Sequence, residues 1–570
     1  MCGIFFSLRD SNLDSAPFSE LCESLQKVNG ARGPDSQRNK RISTHGLVLD
    51  FFASELRLRG AIPIIQPHEC EDSRILSWNG ELALEIFDGI EIGQEENDGV
   101  VLFKELCAAG DTEDVCRLFG RVEGPYAFVY YDSRMKQLFF ARDPLGRRSL
   151  LVHHPTAQNP YFMLASTSVG QDPRHDFQEV NTQYIYSLEV AKLAQGVEFV
   201  DGFQSCLRKF ERSGQYSMPS PVCATMPPNE LPLLESLDSP GQFEDILQDF
   251  IHILDKSVAL RVQTIPVPPY ASNVAGPFNV SNQFYRVPGT ARLAILFSGG
   301  IDSTVLAFLA HRHLPDEPID LLNVAFENPY KLRGSHSAAT NPYLVPDRET
   351  GLSELAELKR LCPRQWNFVE VNVPYEESQA AQAEIESLMF PAKTVMDLSL
   401  AMALFFASRG HGIIRGVDEE SIPYKSTARV LLNGLGADEL LGGYSRHKTA
   451  FRSKGWEGLV EELQMDLDRI PTRNLGRDDR VISSFGKETR HPFLSLSVVD
   501  FVARLPVQLK MDPRAEAGVG DKALLRLAAR LLGLEEASGR RKRAMQFGSR
   551  SARREGEKYG DALLDKPNYT

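Results

Sequence analysis

Cysteine is scarce and scattered, eight in 570 residues, with no Cys-x-x-Cys spacing anywhere. This argues against a disulfide framework or a thiolate zinc site, and it points to a reducing, cytoplasmic setting. Long apolar runs are missing too. The longest, near Leu398–Ala407, is too short to span a bilayer. The N-terminus lacks the basic-then-apolar pattern of a signal peptide. Positive charge is in deficit: 63 Lys and Arg against 76 Asp and Glu leave a net charge of −13. A general nucleic-acid binder is therefore not expected. No Gly-x-x-x-x-Gly-Lys-Ser/Thr loop occurs. Gly486-Lys487 comes closest, but Glu488 follows. There are no internal repeats. What remains, 42% hydrophobic and 24% charged residues, suits a soluble globular protein with room for three or four average domains or two large ones.

The chain is organised around Ala291–Ser303. Leu293–Phe297 is a short apolar run of the kind a buried parallel strand shows. It runs straight into Ser298-Gly299-Gly300, and a helix follows with Ile301, Val305, Leu306 and Leu309 at helical spacing. Strand, glycine turn and helix N-terminus together make a phosphate cradle, because free N–H groups point at the anion.

Residues 2–190 are rich in short strands, read at Cys2–Leu8, Gly46–Phe52, Arg74–Trp78, Tyr126–Tyr131, Gln137–Arg142, Leu150–His153 and Tyr161–Ala165. Val100–Ala109 reads as a helix among them. Residues 191–241, with several prolines, read as a linker. Residues 242–549 form the second domain, opening on an amphipathic helix at Phe243–Val258. Loose insertions are expected at about 264–290 and 327–346, and 550–570 as a flexible tail. From Arg292 the pattern alternates. Strands at Ile319–Phe326, Phe368–Val373 and Val430–Leu432 are separated by helices at Gly351–Leu361 and Leu398–Arg409. That alternation predicts a doubly wound parallel sheet with its ligand at the carboxyl ends of the strands. The Arg540–Arg543 cluster suits an import signal or a phosphate-facing patch equally well.

Cys2 becomes the first residue if Met1 is removed. Its α-amine, with a free pKa of about 8, could then act as base for its own thiol. Cys2-Gly3-Ile4, Arg32-Gly33-Pro34-Asp35, Trp78-Asn79-Gly80-Glu81 and Arg142-Asp143-Pro144-Leu145-Gly146-Arg147-Arg148 stand in the order seen in class II glutamine amidotransferases. The first 190 residues resemble that family. The resemblance implies an α+β N-terminal nucleophile hydrolase sandwich. It also implies that Cys2 attacks the glutamine side-chain amide, and that Asn79 and the Gly80 N–H form the oxyanion hole. Arg57 would then hold the glutamine carboxylate, and Asp98 its amine.

Ser298-Gly-Gly-Ile-Asp-Ser303 resembles the loop of the N-type ATP pyrophosphatases. An amidotransferase joined to such a domain is the layout of the glutamine-hydrolysing asparagine synthetases. Asn433–Tyr444 and Glu488–Leu494 resemble two further signatures of that family. Lys542–Gly548 and the insertions resemble its asparagine synthetase domain-containing subfamily, over nearly the whole chain. The resemblance implies an α/β doubly wound ATP pyrophosphatase domain and the substrates glutamine, ATP and a small carboxylate, by resemblance aspartate. ATP would be held by Phe297, Ser298, Gly299, Gly300, Asp302, Ser303, Val324, Asn433, Gly434, Lys542 and Arg543. Mg²⁺ would be held by Asp302 and Asp438. Two departures stand out. Leu435 replaces the family glutamate that takes a proton from ammonia, leaving Glu439 and Glu488 as nearby carboxylates. Ala544 aligns with the family lysine on the pyrophosphate side, leaving Lys542 and Arg543 as its replacements.

Overall fold

The computed structural model describes all residues except 1, 14, 61–62, 83–91, 94–95, 195–198, 229–241, 267–290, 315–316, 328–340, 417, 517, 552–561 and 565–570. The insertions expected at 264–290 and 327–346 lie largely outside the described residues.

The N-terminal domain is built on two six-stranded sheets. One runs in the order Gln178–Glu179, Leu151–His153, Tyr161–Ala165, Cys2–Asp10, Leu47–Glu55, Ser36–Thr44. The other runs Leu207–Glu211, Tyr184–Glu189, Gln137–Arg142, Tyr126–Asp132, Ile75–Gly80, His68–Glu69. The first strand is apolar throughout because both of its faces are covered. Ile4, Phe6 and Leu8 meet Ala127, Val129 and Leu138 of the facing sheet. Phe5 turns outward against Phe18, Leu21 and Leu25 of helix Ala16–Arg32. On the far side, helices Asp98–Ala108 and Thr112–Phe119 cover Leu76, Trp78 and Phe128. The result is a four-layer sandwich, as the fold expectation required.

Strand Leu207–Glu211 falls inside the stretch expected as a linker, yet it pairs antiparallel with Tyr184–Glu189 and completes the second sheet. Its charges hid it: it is an edge strand, and Lys209 lies over the rings of Tyr184 and Tyr186. The expected flexible tail is also partly ordered. Val395 N donates to the Ala562 carbonyl and Leu564 N to that of Lys393, which docks 562–564 on the start of helix Val395–Arg409.

The C-terminal domain holds a seven-stranded sheet in the order Ser421–Lys425, His411–Arg415, Trp366–Val373, Ile319–Phe326, Leu293–Leu296, Val430–Leu432, Glu488–Arg490. The last five are parallel, and the first two add an antiparallel hairpin at the edge. Separate apolar cores cover the two faces of the sheet. The strand order reverses between Leu293–Leu296 and Val430–Leu432, and a doubly wound sheet opens its crevice at that point. Ser298–Gly300 and Asn433-Gly434 leave the two strands on either side of it.

The domains meet through buried arginines. Arg32 Nη2 donates to Asp479 Oδ2 at 2.8 Å, with both side chains fully buried. Arg148 pairs with Glu488 at 2.8 Å and donates to the Thr489 carbonyl at 3.1 Å. Arg147 reaches the Leu494 carbonyl, while Leu496 N donates to Glu123. Arg480 binds Glu179 and Ser149. Breaking such a buried pair on one side leaves an uncompensated charge and costs about 3–5 kcal/mol. Asp479→Ala is therefore expected to lower the unfolding free energy by that order and the denaturant midpoint with it, whereas Lys454→Ala, which removes an exposed pair with Glu461, leaves the midpoint in place. Parallel urea titrations of the two variants check this.

Candidate functional sites

Cys2 opens the central strand of the first sheet and is buried. Its backbone N donates to Asn79 Oδ1 at 3.0 Å. That bond fixes the Asn79 amide, whose Nδ2 is buried with no acceptor among the described residues. A buried orphan donor needs a reason; a donor fixed in this way can stabilise negative charge that develops next to it. Gly80 follows on the same strand, where a side chain would strike the Trp78 ring at 2.4 Å. The Trp78 indole donates to Asp98 Oδ2 at 3.2 Å, and Leu82 N donates to the same oxygen at 3.0 Å. Asp98 sits in the first turn of its helix, behind the Asn97 cap that accepts from Val100 N.

Gln66 was not foreseen: its Nε2 lies 3.5 Å from Cys2 Sγ, and its Oε1 accepts from Trp78 N. No motif marks it, since only folding brings Gln66 to the thiol. Arg57 binds the Gly60 carbonyl through Nη1, and its backbone N donates to Asp35, which also takes a bidentate bond from Arg429 of the second domain. Burial pushes the Cys2 thiol up to about 11. At neutral pH it is protonated, so a base must take its proton before it attacks.

The second site lies at the switch point. Ser298–Gly300, Asp302, Asp438, Lys522, Lys542 and Arg543 line one cavity of about 270 Å³. Gly299 has φ +76, and a side chain there would meet the backbone of Thr350 and Gly351 at about 2.5 Å; only glycine fits. Asp302 and Asp438 converge on one cation. Lys522 Nζ lies 2.7 and 2.6 Å from the two oxygens of Asp302 and 2.7 Å from Asp438 Oδ1. Lys542 Nζ approaches Asp438 Oδ1 to 2.6 Å from over the Tyr444 ring, off the hydrogen-bonding direction. Burial opposes every charge here. The two carboxylates nonetheless hold the Lys522 ammonium above its ordinary value, and the two lysines hold Asp438 well below the carboxylate range. At Gly443 a side chain would collide with Asp438 Oδ1 and the Lys522 stem.

Other expected residues shape this site without facing it. Ser303 Oγ donates to the Gly300 carbonyl, and Asn433 Oδ1 accepts from Leu435 N. Gly434 backs onto the Asp302 Cβ. Phe297 and Val324 are buried at the ends of adjacent strands. Arg540, Arg541, Lys542 and Arg543 all line the cavity, and Arg540 also pairs with Glu354; the basic cluster thus faces the cavity that the glycine loop forms. Leu435 packs against the apolar core. Glu439 accepts from the Tyr444 hydroxyl at 2.6 Å. Glu488 lies at the domain boundary; against its burial, Arg148 and Arg490 hold it well below the carboxylate range.

Among the described residues no three His, Cys, Asp or Glu cluster as metal ligands. Two hard carboxylates with one oxygen lacking a well-formed hydrogen bond do fit Mg²⁺, which commonly takes one or two carboxylates and completes its shell from phosphates and water.

A family model described as Asparagine synthase matches residues 452–569, and one described as Glutamine amidotransferase domain matches residues 66–169. Asparagine synthetase domain-containing protein 1 of Gallus gallus is 37% identical, over 92% of this chain and 93% of that protein. Its namesake in Homo sapiens is 35% identical, over 99% of this chain and 97% of its own. The chain belongs to the asparagine synthetase domain-containing family. A putative glutamine-hydrolyzing asparagine synthetase 1 of Methanocaldococcus jannaschii is 29% identical, over 80% of this chain and 71% of that protein. For this family member the sequence reading missed Lys522. It stands alone at the start of helix Ala523–Leu531, outside every motif, and reaches the aspartates only in the fold.

Lys522→Met removes the cation between two buried carboxylates. The variant is expected to unfold at a markedly lower temperature than the wild type in chelator, and to regain more of that loss on adding Mg²⁺ than the wild type gains. Thermal unfolding with and without Mg²⁺ checks it.

Proposed function

We propose that the chain is an ATP-dependent, glutamine-hydrolysing amidotransferase of the asparagine synthetase type, converting aspartate, glutamine and ATP to asparagine, glutamate, AMP and pyrophosphate in the cytoplasm. The observation that carries this reading is Arg32. Its Nε donates to the Cys2 carbonyl at 3.3 Å while its Nη2 holds Asp479 of the second domain. A nucleophile and a phosphate cavity so clamped together suit two coupled half-reactions.

In the first half, Cys2 Sγ attacks the glutamine amide carbon, and the thiol proton passes by way of the α-amine that removal of Met1 frees to the departing nitrogen. Asn79 Nδ2 and the Gly80 N–H take the charge on the carbonyl oxygen, ammonia leaves, and water releases glutamate from the thioester. In the second, a carboxylate oxygen attacks the α-phosphorus of ATP and pyrophosphate departs. Ser298–Gly300, Lys522, Lys542 and Arg543 would hold the phosphates. Asp302 and Asp438 would hold Mg²⁺, which when bound neutralises phosphate charge. Ammonia then attacks the acyl carbon and AMP leaves.

Internal transfer of ammonia is supported by a cavity of about 30 Å³, room for one small molecule, at the domain boundary. Glu81, next to Gly80, lines it, as does Arg490, whose carbonyl accepts from Asn433 N of the second site. His491 in its wall is fully buried with both ring nitrogens unpaired among the described residues, and burial lowers its pKa to about 3. A neutral imidazole can bond ammonia without protonating it. Among the described residues no helix is long and apolar enough to cross a membrane.

Leu435 favours a second reading. Its side chain packs against the core, Glu439 is held by Tyr444, and Glu488 is locked between arginines, so neither of the two carboxylates near Leu435 is free to stand in as base. Amidation or cyclisation of another carboxylate, or a regulatory protein that retains ATP binding, would suit this site.

Cys2→Ala is expected to abolish glutamate release from glutamine while leaving thermal unfolding unchanged; hydrolysis at the wild-type rate would reject the N-terminal site. Loss of one general base costs about 10²–10⁴-fold in rate, so wild-type asparagine formation should be slow and Leu435→Glu should raise it. A single assay of AMP, pyrophosphate and amide product across candidate carboxylates tests this. AMP formed only from another carboxylate, with no gain from Leu435→Glu, would favour the second reading.

A further inference from the structure

The phosphate cavity contains an acid that neither the motifs nor the reaction uses. Asp347 lies in the first turn of helix Pro346–Leu361, is 6% exposed, and lines the cavity beside Ser298–Gly300. Asp302 and Asp438 have lysines; Asp347 does not. Among the described residues no donor bonds its carboxylate, and it does not cap its own helix. Burial pushes it up to about 7, against the pull of Arg543.

Its position is nevertheless fixed. Asn323 Nδ2 donates at 2.9 Å to both the Asp347 and the Phe297 carbonyls, setting the two residues side by side. Thr350, on the next turn of the helix, donates through Oγ1 to the Ser298 carbonyl at 2.9 Å. Across from it, Gly548 leaves the carboxylate its room, since a side chain there would meet Asp347 Oδ1 at 1.8 Å. Phe326 N donates to the Ser549 carbonyl and holds that segment in place. The carboxylate is thus placed by backbone anchors and steric walls, with its bonding capacity unspent.

Asn323 and Thr350 thus hold the start of the Asp347 helix beside Phe297 and beside the glycine loop, with Asn323 itself next to Val324 on its strand. If the loop takes phosphate and the base lies toward the Phe297 and Val324 strand ends, the part of a nucleotide nearest Asp347 is the sugar. We propose that Asp347 binds the ribose hydroxyls of the nucleotide and selects ribonucleotides over deoxyribonucleotides. Two vicinal hydroxyls supply the donors that the carboxylate lacks. A hydrogen bond to a charged group is worth about ten- to a hundredfold in affinity. This inference rests on the nucleotide reading of the cavity.

The test is calorimetric binding of Mg·ATP, Mg·2′-deoxy-ATP and Mg·3′-deoxy-ATP to the full chain and to Asp347→Ala, with thermal unfolding as the folding control. The wild type should bind ATP about ten- to a hundredfold tighter than at least one deoxy analogue, and Asp347→Ala should bind all three alike at the weaker level. Gly548→Ala, which crowds the same carboxylate, should narrow the preference without touching Asp347. A wild type that binds the three equally would overturn the inference, whether or not the variants fold. So would Asp347→Ala that keeps the preference. A wild type that binds no ATP at all would overturn the nucleotide reading and this inference with it, which distinguishes the two failures.

Discussion

Everything in this molecule depends on Arg32 being held from both sides. One guanidinium touches the carbonyl of Cys2 and the buried carboxylate of Asp479 on helix Leu475–Ser483. Desolvating a guanidinium is costly unless each donor finds an acceptor, so neither domain can shift without leaving a charge stranded. Arg147 and Arg148 repeat the arrangement a few residues away, and the apolar core itself continues across the boundary through Leu56, Leu58 and Leu145. The two sites thereby share one buried framework of charge and apolar contacts.

The second site works by opposing charges in a confined space. Two aspartates at the switch point would repel each other; Lys522 holds them together, and Lys542 shields one of them from over the Tyr444 ring. Glycine at 443 keeps a side chain out of the space that this arrangement needs, and glycine at 299 lets the loop lie against the Thr350–Gly351 backbone. A cavity whose carboxylates already hold cations has its buried charge balanced by the chain's own side chains.

The carboxylates around Leu435 show how proximity in sequence misleads. Glu439 and Glu488 were the nearest candidates for a base. The fold gives one to a tyrosine hydroxyl and the other to the domain boundary, where Glu488 shares a buried cluster with Glu81, Arg148 and Arg490. The family signature around Glu488 thus serves the joint between domains, and its position next to the Gly80–Glu81 strand ties the two sites through the same residues.

The sequence by itself determined the two-domain order, the sandwich and the doubly wound sheet, because the apolar runs and glycine turns that encode them are local. It also marked Cys2, Asn79, the glycine loop and the paired aspartates, which lie in contiguous motifs. It did not reveal Gln66 beside the thiol, Lys522 between the aspartates, Asp347 in the cavity, or the edge strand Leu207–Glu211. Each of these is brought to its place by contacts distant in sequence: Gln66 is 64 residues from Cys2, and Lys522 is 220 from Asp302. No local pattern carries such a distance. Only burial in a common core, with every desolvated charge needing its partner, decides which side chain arrives there.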